Sequence, residues 1–138
     1  MKFWDTSAVI PLLVTESQTS KVEKIFEADA SMVVWWGTSI ECISAISRLE
    51  REGKLSPLQA ESIFSQLAIL KDTWWEVQAS HKLKQTAERI LRVHALRAQD
   101  AQQLSACIMA NSENQLELVS LDDRLLSAAR KEGLVVAG

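Results

Sequence analysis

Four acidic residues lie where predicted strands end or predicted helices begin: Asp5, Glu41, Asp100 and Asp122. In a parallel sheet the connecting helices run antiparallel to the strands, so these positions meet at the carboxyl edge of the sheet, where open α/β folds bind ligands. Carboxylates gathered at one edge repel one another and need a cation. Oxygen ligands without a usable His or Cys favour Mg²⁺ or Mn²⁺ over zinc. Such a site suits phosphoryl chemistry.

Each acid also has a simpler structural explanation. Asp5 could cap the helix that follows it, because Asp is a preferred N-cap residue. Glu41 ends the sequence Thr38-Ser39-Ile40-Glu41, which matches a capping box in which the glutamate bonds back to the cap N–H. Of Asp122 and Asp123, one could be the cap and the other the metal ligand. We prefer Asp122 as the ligand because it comes first after the strand, and four acids at independent junctions together favour a metal site.

Asp100 is the most informative of the four acids. It shares a helical stripe with Leu104, Cys107 and Ile108, so it is predicted to face inward at the positive end of its helix. An unpaired buried carboxylate costs several kcal/mol or takes up a proton. We therefore expect Asp100 to meet backbone N–H groups, a cation, or both.

The elements that must position these acids follow from the apolar pattern. Strands are predicted at 2–4, 32–36, 116–121 and 134–136, and Trp74-Trp75 is left between a loop and a short strand. Helices are predicted as a short piece limited by Pro11 and at 20–28, 38–52, 57–72, 81–95, 100–111 and 123–131. This alternation predicts an α/β fold with a mostly parallel central sheet that helices cover on both faces.

Length and composition bound the rest of the interpretation. With 138 residues, 47% of them hydrophobic, we predict a single domain at 1–138. No apolar run approaches the roughly 20 residues of a membrane span, and no secretory signal is evident, so we expect no membrane partner and a cytoplasmic location. Cys42 and Cys107 lack metal-binding spacing and are interpreted as reduced core thiols. The net charge of −3 neither supports nor excludes RNA.

Several segments, in this order along the whole chain, resemble the PIN domain and in particular the VapC ribonuclease toxins. They are Asp5-Thr6-Ser7-Ala8, the Glu41 helix with Ser47-Arg48 and Gly53-Lys54-Leu55, Leu96-Arg97-Ala98-Gln99-Asp100-Ala101, and Ser120-Leu121-Asp122-Asp123-Arg124-Leu125. The resemblance implies a PIN-like three-layer α/β/α sandwich and an endoribonuclease that depends on Mg²⁺ or Mn²⁺. It also implies a homodimer that a co-expressed VapB-type antitoxin inhibits.

By this resemblance the acidic quartet of the family falls on Asp5, Glu41, Asp100 and Asp122. Ser7 matches a small polar position two residues after the first acid, and Ser120 matches the Thr or Ser two residues before the last. Asp123 offers a second carboxylate beside that last acid. The histidine often seen three residues after the third acid is Gln103 in this chain. That change removes no ligand, so the implied activity is kept. The choice of RNA substrate is left open.

The resulting hypothesis is that Asp5, Asp100 and Asp122 hold one or two Mg²⁺ or Mn²⁺ ions while Glu41 completes the shell and orients the attacking water. Hydrolysis of RNA would leave a 5′-phosphate and a 3′-hydroxyl. Candidate phosphate contacts are Arg48, Arg97 and Arg124, although each could equally belong to an ordinary solvated helix face. The rival function is a catalytically silent module that binds an antitoxin or RNA, with its acidic pocket receiving an antitoxin arginine.

Overall fold

The computed structural model describes residues 1–112 and 114–138. The strands of this part of the chain are β1 (Lys2–Trp4), β2 (Met32–Trp35), β3 (Trp75–Val77) and β4 (Leu118–Val119). The helices are α1 (Thr6–Leu13), α2 (Thr19–Ala28), α3 (Thr38–Arg51), α4 (Pro57–Lys71), α5 (His81–Val93), α6 (Ala98–Ala110) and α7 (Asp123–Lys131). Across the described residues, no helix is both long enough and apolar enough for a membrane crossing.

The strands form one parallel sheet in the order β3-β2-β1-β4. Side chains alternate across this sheet, as the period of a strand requires. Phe3 and Val33 belong to a core shared with α5, α6 and α7. Trp4 and Val34 belong to a second core shared with α1, α2, α3 and α4. The three-layer α/β/α sandwich with a mostly parallel central sheet is therefore confirmed.

Local sequence signals set several helix ends as predicted. The Ser56 hydroxyl accepts from the Gln59 backbone N–H at 3.1 Å, and Gln59 Oε1 accepts from the Ser56 N–H at 2.8 Å, so α4 begins with a complete capping box. Gly53 and Gly133 follow α3 and α7 with φ of 75° and 84°. Glycine enters this left-handed region without the steric cost that a Cβ brings.

The sheet edges differ most from the sequence prediction. Residues 75–77 form the edge strand β3, which pairs in parallel with β2. The predicted strand at 116–121 is reduced to Leu118–Val119, and the predicted strand at 134–136 is reduced to a single parallel bridge between Val136 and Leu118. The strand β1 is only three residues long and its ladder with β4 has two residue pairs. A short central strand thus limits how far its neighbour can extend.

Cys42 and Cys107 are buried free thiols, one in each core. Burial in apolar surroundings raises the pKa of each thiol to about 12. Both are therefore protonated and unreactive at neutral pH, in agreement with the prediction of core thiols.

Candidate active site

Asp5 lies at the carboxyl end of the central strand β1, where its backbone N–H still donates to the Val119 carbonyl at 3.0 Å. Its side chain is only 5% exposed. Asp5 occupies the N-cap position of α1 but makes no side-chain capping hydrogen bond there. Instead its Oδ2 atom accepts from Ser7 Oγ at 2.5 Å and from Ser120 Oγ at 2.9 Å. Burial raises the pKa of Asp5, the two hydroxyls oppose that rise, and the charge of Asp122 adds to it.

The two serines around Asp5 are held in place by the chain after β4. Ser7 Oγ accepts from the Leu121 N–H at 2.9 Å, and Ser120 Oγ accepts from the Asp122 N–H at 3.1 Å. Each hydroxyl thus uses a lone pair on a backbone N–H and its hydrogen on Asp5. The structure places Ser7 and Ser120, both singled out from the sequence, directly against the first acid.

Glu41 lies in the first turn of α3, but the predicted capping box is wrong. Gly37 occupies the N-cap position, and no side chain caps the helix. The Thr38 side chain is buried in the interior, where its hydroxyl contacts Gln103 Nε2 at 3.0 Å. Glu41 Oε1 instead accepts from Thr6 Oγ1 at 2.9 Å and from Gln103 Nε2 at 3.2 Å. Burial raises the pKa of Glu41, and the charges of Asp5 and Asp100 raise it further.

Asp100 is half-buried in the first turn of α6, with 14% of its side chain exposed. Its Oδ2 atom accepts from the backbone N–H of Arg97 and from the Arg97 guanidinium Nε, both at 3.3 Å. Among the described residues, Arg97 supplies both the backbone N–H group and the positive charge that contact Asp100.

Asp122 is the N-cap of α7. Its Oδ1 atom accepts from the backbone N–H groups of Arg124 at 2.9 Å and Leu125 at 3.2 Å. Asp123 is exposed in the first turn of the same helix. The structure thus gives the capping role to Asp122 through one of its two oxygens. The assignment of Asp122 as a metal ligand remains a prediction.

The four acids lie near enough at one edge of the sheet for their charges to affect one another. The charge of Asp122 raises the pKa of Asp5, and the charges of Asp5 and Asp100 raise the pKa of Glu41. Nevertheless, in residues 1–112 and 114–138 no three acidic, histidine or cysteine side chains converge closely enough to form a ready metal cage. Asp100 accepts hydrogen bonds from Arg97, and Asp122 accepts hydrogen bonds from the backbone of α7.

The donor set fits a hard divalent cation. Within the described residues, neither Asp5 nor Glu41 has an ion-pair partner. Both side-chain hydrogen bonds to Asp5 end on Oδ2, and both to Glu41 end on Oε1. The second oxygen of each carboxylate thus receives no side-chain hydrogen bond from this part of the chain. Buried carboxylate oxygens without a counter-charge are the ligands that Mg²⁺ and Mn²⁺ prefer.

The three candidate phosphate contacts are all exposed. Arg97 adjoins Asp100, and Arg124 follows Asp122 at the start of α7. Arg48 lies two turns along α3 from Glu41, which corresponds to about 10 Å along the helix axis. Arg97 and Arg124 are therefore next to the acids, and Arg48 is farther along the same helix as Glu41.

Sequence reasoning missed the polar connection formed by Thr6, Thr38 and Gln103. The available signal was Gln103 itself, because it lies among the apolar residues Ala101 and Leu104 on the inward side of α6. A buried amide in such a position needs polar partners. Those partners come from α1 and α3, which are distant in sequence, so the spacing along α6 could not identify them.

The raised pKa values predict how stability depends on pH in the absence of metal. Because the folded state holds the protons of Asp5 and Glu41 more tightly than the unfolded state, the free energy of unfolding falls as pH rises above the ordinary carboxyl range. Glu132 acts oppositely. Arg89 and His94 lower its pKa to about 2, so its contribution is lost as pH falls from its ordinary value toward about 2.

We therefore expect the protein in EDTA to unfold at a higher temperature near about pH 5 than near about pH 7. Saturating Mn²⁺ should remove this difference, because a bound cation stabilises the ionised acids. Thermal unfolding followed by circular dichroism measures both effects. The double substitution Asp5→Asn with Glu41→Gln is the control and should flatten the profile in EDTA. Stability that rises from pH 5 to pH 7 without metal would contradict this account.

Neither a protein-family model nor a curated protein matches this sequence. Solved structures do match the fold. VapC20 of Mycobacterium tuberculosis, a sarcin-ricin loop cleaving toxin, is 15% identical with a TM-score of 0.69 over 93% of this chain and 95% of that chain. A chain of a toxin-antitoxin complex from Klebsiella pneumoniae is 15% identical with a TM-score of 0.63 over 88% and 87%. PAE2754 from Pyrobaculum aerophilum is 17% identical with a TM-score of 0.66 over 92% and 83%.

These likenesses define the class of fold to which the chain belongs. It has the PIN-type α/β/α fold seen in VapC toxins, with a four-stranded parallel sheet between two helical layers. The resemblance found in the sequence is thereby confirmed for the fold. At 15% to 17% identity the similarity concerns the architecture, and activity must be argued from the site itself.

Proposed function

We propose that this chain is an endoribonuclease dependent on Mg²⁺ or Mn²⁺ and that it acts as the toxin of a VapBC-type toxin-antitoxin pair. The observation that carries the proposal is the buried Asp5 at the end of the central strand, held on one oxygen by Ser7 and Ser120. Glu41, which has no ion-pair partner within residues 1–112 and 114–138, interacts with it electrostatically. Two carboxylates in this state fit a cation-binding centre better than a structural pair.

The four acids would hold the metal, and Asp5 and Glu41 would be the central pair of this group. When bound, the ion would neutralise phosphate charge and lower the pKa of a water molecule. Ser7 and Ser120 fix Asp5 through Oδ2, and Thr6 and Gln103 fix Glu41 through Oε1. The other oxygen of each acid receives no side-chain hydrogen bond from the described residues. Asp100 and Asp122 would join by turning from Arg97 and from the α7 cap.

Glu41 would also orient the attacking water by accepting a hydrogen bond from it. Release of Asp100 would free the Arg97 guanidinium, which is 77% exposed, for an RNA phosphate. Arg124, exposed at the start of α7, would provide a second phosphate contact. Arginine suits this role because its planar fork matches two phosphate oxygens.

The proposed partners rest on the structural neighbours and on the exposed surface. VapC20 is a toxin that cleaves the sarcin-ricin loop, and the Klebsiella structure is a toxin-antitoxin complex. These properties support RNA as the substrate and a VapB-type protein as the inhibitor of this chain. Large exposed apolar side chains beside Glu41, namely Trp36, Ile40 and Ile43, support a homodimer, since exposed apolar patches mark interfaces. A cytoplasmic location belongs to the same proposal.

Incubation of the purified protein with end-labelled RNA tests the proposed activity. We expect cleavage in Mn²⁺ or Mg²⁺, loss of cleavage in EDTA, and products with 5′-phosphate and 3′-hydroxyl ends. Mapping the product ends also separates this reaction from contamination by metal-independent ribonucleases. RNA or peptide binding without metal and without cleavage would favour the catalytically silent module instead.

A further inference from the structure

Gln103 connects three helices at the candidate site. It lies on the inward side of α6 and is 1% exposed. Its Nε2 atom lies 3.0 Å from Thr6 Oγ1 on α1, 3.0 Å from Thr38 Oγ1 on α3 and 3.2 Å from Glu41 Oε1. The NH₂ group has two hydrogens, which these three acceptor atoms share. Thr6 in turn donates to the same Glu41 oxygen.

The surrounding donors and acceptors fix the orientation of this amide. Thr6 gives its only hydroxyl hydrogen to Glu41, so its oxygen can only accept from Gln103. The ionised Glu41 can also only accept. With the amide reversed, the Gln103 carbonyl oxygen would face both of these acceptors. The NH₂ group of Gln103 must therefore point toward Glu41 whenever that carboxylate is charged.

This orientation leaves the other end of the amide without a partner. Gln103 Oε1 is buried and has no hydrogen-bond partner in the described residues. A buried carbonyl oxygen without a hydrogen bond lowers the free energy of unfolding. This end of the amide therefore destabilises the fold. An apolar side chain of similar shape would avoid that cost. The favourable contact of the amide is at its NH₂ end, which contacts Glu41.

We infer that Gln103 is a positioning residue that, together with Thr6, holds Glu41 Oε1 so that Oε2 is directed to the divalent cation. This inference rests on the proposed nuclease function. Gln103 donates hydrogen bonds without carrying a charge, so it orients the acid without competing with the cation. Neutral partners outside the ligand shell commonly change metal affinity 10- to 100-fold when they are removed.

The substitution Gln103→Met tests this inference, with Gln102→Met as the matched control on the exposed side of the same helix. We expect Gln103→Met to raise the Mn²⁺ dissociation constant about tenfold, as measured by titration with electron paramagnetic resonance. The unfolding temperature in EDTA should fall, because the buried Thr38 hydroxyl loses its contact with Gln103, so the Mn²⁺ titrations are made well below that temperature. The control should change neither quantity. Thr6→Val, which removes the other donor to Glu41, should also weaken Mn²⁺ binding.

A Glu41→Gln background separates positioning from a general structural role. If Gln103 acts through Glu41, adding Gln103→Met to Glu41→Gln should weaken Mn²⁺ binding no further. Equal Mn²⁺ affinity in the wild type, Gln103→Met and Thr6→Val would overturn the inference and leave the nuclease proposal intact. An additive loss in the Glu41→Gln background would also overturn it. A wild type that neither binds Mn²⁺ nor cuts RNA would overturn both proposals.

Discussion

Asp5→Asn should reduce metal-dependent RNA cleavage by at least about 100-fold, a larger loss than removal of a partner outside the ligand shell causes. Asparagine replaces a charged ligand oxygen by a neutral one, so it holds a divalent cation more weakly than the carboxylate does. The cleavage rate on one RNA at saturating Mn²⁺ measures this loss. Cleavage at an undiminished rate would show that Asp5 is not part of the catalytic centre.

The same substitution should leave the fold intact. The carbonyl oxygen of the introduced asparagine can still accept from the Ser7 and Ser120 hydroxyls, which in the wild type bond to one carboxylate oxygen. Removing the charge also removes its desolvation cost and its repulsion with Asp122, the two effects that raise the pKa of Asp5. We therefore expect the unfolding temperature in EDTA at neutral pH to equal or exceed that of the wild type. Asp72→Asn, at an exposed acid after α4, is the matched control.

Trp4→Ala should lower the free energy of unfolding by about 3–5 kcal/mol, as expected for removing a large buried aromatic side chain. Trp4 is completely buried in the core beneath α1 to α4 and packs edge-to-face against Phe26 with ring centroids 6.2 Å apart. Urea unfolding followed by far-ultraviolet circular dichroism measures this loss without relying on tryptophan fluorescence.

Trp4→Phe provides the informative comparison for that site. The indole Nε1 of Trp4 is buried without a hydrogen-bond partner in the described residues. Phenylalanine leaves a smaller cavity than alanine and also removes this unpaired N–H group, whose burial is unfavourable. We expect its cost to be well below that of Trp4→Ala. Equal costs for the two substitutions would indicate that the indole N–H contributes to stability in a way that the structure does not show.

The elements with strong local signals were predictable from the sequence. Helix α4 begins with a serine, a proline and a glutamine that caps in return, and α7 ends before a glycine with positive φ. The sequence left a loop and a short strand open at the edge strand β3, because β3 is only three residues long and its first residue, Trp75, is 68% exposed. Its strand conformation depends on pairing with β2. Local sequence carries little information about such pairing.

For the candidate site, the sequence indicated the positions of the acids in the fold. It was a poorer guide to the groups that they contact. The acids at 5, 41, 100 and 122 do lie at strand ends and helix starts. The capping box predicted for Glu41 failed because the hydroxyl of Thr38 meets Gln103, a residue 65 positions away. Asp122, by contrast, does cap its helix. Local motifs therefore predict capping only where no distant side chain competes for the same group.

The contact between Ser120 and Asp5 spans 115 residues, and this separation has a consequence during protein synthesis. The strand that carries Asp5 leaves the ribosome 115 residues ahead of its hydroxyl partner Ser120. A nascent chain that stops before residue 120 cannot assemble the proposed catalytic centre. Under the proposed toxin function, nuclease activity therefore requires synthesis of the chain through at least residue 120.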